Sequence, residues 1–154
     1  MRGRGNHVDG TYNHILVALD GSEAAEQILP QVQMLQRTMG SRVTLISVVS
    51  LLQGLLPEPS HADLKPVLQE VEGETQSYLN RVAERLQREG GTVDVEYPEG
   101  APAETIVRRA TELQVDLLAL TTRGRGGIDR TLFGSVADKV LRTAPCPILL
   151  VRMT

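Results

Sequence analysis

Cysteine and aromatic residues are scarce in this chain: one cysteine, no tryptophan, three tyrosines and one phenylalanine among 154 residues. The lone Cys146 excludes an intramolecular disulfide and a multi-cysteine zinc site. With so few rings the chain lacks the stacking platform that single-stranded nucleic acid requires. A flat ligand would have to be held between aliphatic side chains. Excess positive charge is missing as well. The net charge of -3 argues against a general nucleic-acid binder. Apolar runs are short, and none approaches a membrane span. The amino end, MRGRGNHVDGTYN, has no apolar core of the signal-peptide type. These absences lead to the expectation of a cytoplasmic protein in a reducing setting, with no nucleic-acid or membrane partner.

What is present is an alternation of short apolar runs and amphipathic segments. Residues 1–12 are polar and basic and read as a tail, leaving 13–154 as one domain. His14–Leu19 is a continuous apolar run, the pattern of a strand covered on both faces. Ser22 can cap the helix that follows, Pro30 predicts a kink or late start in it, and Gly40 ends it. Val43–Val49 is a second buried strand. Residues 50–63 form a long connection, either a functional lid or a packing loop. Leu64–Arg88 has the spacing of a long helix closed by Gly90 and Gly91, and Thr92–Pro98 alternates like an edge strand. Helix, strand, helix and strand follow over 102–113, 116–122, 134–143 and 147–152. Such alternation predicts an α/β fold: an open, doubly wound, five-stranded parallel sheet with helices on both faces. The order 3-2-1-4-5 follows if the first and fourth strands are neighbours, which brings their unusual ends together and puts the alternating third strand at one edge.

In such a sheet a ligand binds beyond the carboxyl ends of the strands, where the strand order reverses. The first strand ends in Asp20. The fourth ends in Thr121 and Thr122 and runs into RGRGGIDRTLFGS. Glycines 124, 126 and 127 allow a close backbone approach, and Gly134-Ser135 opens a helix whose free amides suit a phosphate. Arg123, Arg125 and Arg130 add local positive charge. An ordinary surface loop before a Gly-Ser helix start is the competing reading. Neither the P-loop nor the dinucleotide fingerprint is present. Asp20 can accept from a ribose or base donor, bind a metal through water, or simply brace the next helix beside Ser22.

Three stretches, HILVALDGSEAAEQILP, VTLISVV and TTRGRGGIDRTLFGSVADKVLRTAPCPILLV, resemble the universal stress protein family over His14–Arg152. The last is the most specific. Nucleotide-binding members carry G-x2-G-x9-G-[ST], which Gly124 and Gly134-Ser135 match, whereas Thr121 stands at the first glycine. The resemblance implies an adenine nucleotide alpha hydrolase-like fold. It implies a regulatory switch binding ATP (or ADP or AMP), with Mg²⁺ held mainly by the phosphates. By position it places Ala18, Leu19, Asp20, Val48, Leu120, Thr121 and Arg123 around base and ribose. It places Gly124, Gly134, Ser135, Val136 and Ala137 at the phosphates. Where the family often has histidine, Arg123 keeps a donor with a fixed charge.

The apolar run in 147–152 would lie at a sheet edge, which invites pairing with a second copy. The resemblance implies the same homodimer. Two other functions compete: a nucleotide-free dimeric interaction protein, favoured by Thr121, and a slow ATPase. No base or water-positioning pair supports efficient hydrolysis. His7, His14 and His61 lack metal-ligand spacing, and His14 reads as structural. Cys146, between two prolines, reads as a small core residue. A phosphoacceptor receiver domain is rejected, because Asp20 lacks acidic neighbours and Tyr97-Pro98 follows the third strand.

Overall fold

The computed structural model describes residues 10–50, 64–122 and 134–154. Five parallel strands carry the sheet: β1 (His14–Ala18), β2 (Arg42–Ile46), β3 (Val93–Glu96), β4 (Leu117–Thr122) and β5 (Ile148–Arg152). Their order is β3-β2-β1-β4-β5, the one expected with the first and fourth strands as neighbours. The helices are α1 (Leu29–Met39), α2 (Leu64–Gln87), α3 (Pro102–Glu112) and α4 (Ser135–Thr143).

Period-two alternation splits the core into two layers. On one face Ile15 and Val17 of β1 join Leu45 of β2, Val32 of α1 and Leu79 and Val82 of α2. On the other, Leu16 of β1 and Leu118 of β4 join Ile106 of α3 and Val140 of α4. Both faces of β1 are therefore sealed, which explains its unbroken apolar run. The edge strand β5 contributes to both layers, Leu149 and Val151 to the first and Ile148 and Leu150 to the second.

Local chemistry sets the element ends. Pro30 lies in the first turn of α1, where a missing N–H costs nothing, and a 3₁₀ turn over Ala25–Ile28 precedes it. This is the late helix start that the proline foretold. Gly40 closes α1 with φ +67. The second strand is shorter than the sequence suggests, ending at Ile46 rather than Val49. Beyond that point the chain leaves β1 and stays with the β3 side, with Ser47 N donating to Glu96 O (3.1 Å) and Val49 N to Pro98 O (2.8 Å).

Two polar contacts fix the opposite end of the sheet. Asp116 Oδ2 accepts from the backbone N–H of both Asn13 and His14, each at 2.8 Å, and so ties β1 to β4. His14 Nε2 lies 2.8 Å from Thr44 Oγ1. That confirms the structural reading of His14. Burial, reinforced by Arg42, lowers its pKa below the ordinary 6.5. Below pH 6.5 the unfolded chain takes up a proton that the folded ring resists. Stability contributed by neutral His14 is thus complete above that value and is lost as pH falls toward the folded pKa. Urea melts between pH 7.5 and 5 should show stability declining on acidification, and His14→Gln should flatten that part of the profile.

Candidate functional site

The crossovers reverse direction between β1 and β4. The chain leaving β1 turns toward the α1 face, and α4, the helix that follows β4 in the sequence, packs on the other. After Ala18, Leu19 N still donates to Ile46 O (2.9 Å), and the chain then turns through Asp20 and Gly21, which has φ +87. Asp20 Oδ1 accepts from Ser22 N (2.9 Å) and from Ser22 Oγ (2.6 Å). Ser22 Oγ in turn accepts from Ala25 N (3.1 Å). Ser22 is the predicted cap, and Asp20 braces it while remaining exposed at the strand end.

Across the gap, Thr121 continues β4 in extended form, in register with Val151. Among the described residues only Gln114 is a non-glycine with positive φ. The backbone at Thr121 therefore needs no glycine, and what distinguishes it from the motif's glycine is the bulk of its side chain on the cleft wall. Gly134 is different. Its φ of 80° and ψ of 158° lie in a region that is essentially glycine-only. From there α4 starts, and Asp138 N donates to Gly134 O (2.9 Å). The amides of Ser135, Val136 and Ala137 precede that first helical bond, and among the described residues no side chain caps them. Asp138, whose charge would oppose an anion, is paired to Arg142 at 3.0 Å.

Between these ends lies a cleft of about 400 Å³. That is within the ordinary range for small-ligand sites, roughly 300–1,000 Å³. The structure brings together the predicted residues that it describes. Ala18, Leu19 and Asp20 line the cleft from β1, and half-buried Val48 lines it from beyond β2. Leu120 and Thr121 line it from β4, and Gly134, Ser135, Val136 and Ala137 from the head of α4. Arg123 and Gly124 lie outside the described residues, as do Arg125, Arg130, His7, His61 and the 51–63 connection.

Several lining residues were not anticipated. Ser47 and Val49 flank Val48, and Pro102 and Ile106 arrive from the first turns of α3. The strand-end rule points to loops and does not find helices that lean over them. Met153 enters from beyond β5, bonded to Thr122 O (3.0 Å), while Thr154 N donates to Gln27 Oε1 (3.0 Å). No motif marks that contact.

Chemically the cleft pairs an aliphatic floor with a row of amide donors. Asp20 is the single ionisable side chain in its described lining. Cys146 is half-buried against the α3–α4 layer, and burial pushes its thiol pKa up, so it is not an activated nucleophile. Among the described residues no group of three or more potential ligands could hold a metal ion. Nor is any described helix long and apolar enough to cross a membrane.

A family model for the universal stress protein family matches residues 11–152. The chain belongs to the universal stress protein family. A universal stress protein of Methanocaldococcus jannaschii is 31% identical over 146 residues, 94% of this chain and 84% of the relative. Among solved structures, a universal stress protein in complex with cAMP superposes with a TM-score of 0.71 at 19% identity, covering 94% of this chain and 99% of that one. An Arabidopsis thaliana family member with AMP bound gives 0.66 at 15% identity, with 92% of each chain covered. At those identities the likeness is one of fold.

For this universal stress protein, the glycine-only conformation at the head of α4 yields a direct test. Gly134→Ala should lower the unfolding free energy by about 1–3 kcal/mol, the cost of forcing a Cβ into that region. Urea denaturation measures it, and Ser135→Ala, which forces no side chain into a glycine-only conformation, should change stability far less.

Proposed function

We propose that this universal stress protein binds an adenine nucleotide in the cleft between β1 and β4 and acts as a regulatory switch. The observation that carries the reading is the uncapped amino end of α4, held open by Gly134 and lining the same cleft as Asp20. Three free amides at the positive end of a helix form an anion site. The aliphatic side chains of Ala18, Val48 and Leu120 suit a flat base. Asp20 can accept from a ribose hydroxyl through the carboxylate oxygen that Ser22 does not occupy. The cAMP and AMP complexes of proteins with this fold support the ligand class.

ATP is the proposed ligand, with ADP and AMP as its relatives and Mg²⁺ held mainly by the phosphates. Arg123 and Gly124 are proposed to complete the phosphate site. Binding rather than turnover is the proposed activity, because the described lining offers Asp20 as its only acid–base group and Ser22 already engages it. A homodimer through residues 147–152 is proposed with it. β5 is an edge strand, hydrogen-bonded within the chain to β4 alone.

Two measurements check these statements. Purified protein, denatured and analysed by chromatography, should release an adenine nucleotide, and Gly134→Val should release none while remaining folded. Absence of nucleotide, together with no thermal shift on adding ATP, ADP or AMP, would overturn the reading in favour of a nucleotide-free interaction protein. Sedimentation analysis should give twice the chain mass, and a lysine at Leu150 should return it to the monomer.

A further inference from the structure

The walls of the cleft are held in different ways. Leu120, Ile106 and Ala137 are buried in the α3–α4 core layer. Toward the α1 layer the wall is Ala25, Thr121 and Met153. Ala25 belongs to that layer, and Thr121 lies in register with Val151, which packs against it. Ala25 is fixed by Ser22, and Thr121 by its place in β4. Met153 has no such element. It lies past Arg152, the last residue of β5, where the ladder to β4 ends. Yet the chain is held on both sides of it. Met153 N donates to Thr122 O (3.0 Å). The next residue, Thr154, is gripped by one side chain, Gln27 of the 3₁₀ turn ahead of α1. Gln27 Oε1 accepts from Thr154 N (3.0 Å) and Thr154 Oγ1 (3.4 Å), and Gln27 Nε2 donates to Thr154 O (3.3 Å).

A carboxamide that accepts from the N–H and donates to the C=O of one residue does for it what a neighbouring strand would do. Gln27 itself does not line the cleft. Its effect there passes through Thr154 to the residue before it. The half-buried Met153 side chain thus reaches the cleft from a fixed backbone, while its unbranched thioether can still adjust to what it meets. A set position with a conforming surface is what a ligand wall requires. We infer that Met153 contacts the ligand of this cleft and that Gln27 is the residue that positions it. The inference rests on the nucleotide reading and adds to that site a wall from outside the glycine motif.

Titration of the full chain, labelled with ¹⁵N and with methyl-¹³C methionine, with AMP tests it. Met153→Leu assigns the Met153 methyl by the signal it removes. Met34 and Met39, on α1 and outside the cleft lining, serve as references. The Met153 methyl should shift saturably, with the same dissociation constant as the amides of Ser135, Val136 and Ala137. Met153→Ala should weaken AMP about tenfold by removing apolar surface from the wall. Gln27→Leu keeps the bulk of the side chain but none of its bonds, and should weaken AMP about threefold or more, since a loosened wall must be ordered on binding. The methyl titration of the unsubstituted chain decides the matter even where a variant folds poorly. Shifts of the α4 amides with the Met153 methyl unmoved overturn this inference and leave the nucleotide reading in place. So does an AMP affinity that Gln27→Leu leaves unchanged, which would mark the Gln27–Thr154 contact as packing alone. No shift at either site overturns both.

Discussion

The structure depends on one constraint: a parallel sheet whose crossovers change sides between β1 and β4. The helices that follow β1 and β4, α1 and α4, pack in different layers. A cleft lies at the strand ends between them. The rest of the site elaborates that gap. On one side the chain turns sharply at Asp20 and Gly21. On the other a helix starts without a cap.

An uncapped helix start is normally a weakness, since a good cap contributes about 1 kcal/mol. Among the described residues the amides of Ser135, Val136 and Ala137 have no side-chain acceptor, and Gly134 adopts a backbone conformation closed to other residues. On the β1 side Ser22 accepts from Ala25 N in the 3₁₀ turn ahead of α1, and Asp20 braces Ser22. The starts of α1 and α3 have no side-chain cap either, so what sets α4 apart is Gly134 and the cleft that its first turn lines. The sheet's far end is locked by Asp116, which bridges β1 and β4 through two backbone N–H groups. That bond holds the strands together at one end while they part at the other.

Much of this was legible in the sequence because its signals are local. Apolar runs with both faces covered marked the strands, Pro30 and Gly40 marked the limits of α1, and setting the unusual ends of the first and fourth strands side by side gave the sheet order. Position relative to strand ends pointed to Asp20, Thr121 and Gly134-Ser135, and the family resemblance added Ala18, Leu19, Leu120, Val136 and Ala137; all of these line one cleft. What escaped was non-local. Nothing near Asp116 in the sequence announces that its carboxylate will tie down Asn13. Pro102, Ile106 and Met153 reach the cleft only because of how α3 and the segment after β5 pack. The early end of β2 was also hidden, since Ser47–Val49 keeps a strand-like pattern while shifting its loyalty from β1 to β3. Thr121, which stands where the family motif has its first glycine, lies in an extended strand, where a β-branched side chain is most at ease.

The central claim is that the free amides heading α4 are an anion site facing Asp20. Amide nuclear magnetic resonance of ¹⁵N-labelled protein titrated with AMP tests it most directly. The account predicts saturable shifts concentrated at Ser135, Val136 and Ala137, with smaller ones at Leu19 and Asp20. Saturable shifts elsewhere that leave the first turn of α4 unmoved would contradict it.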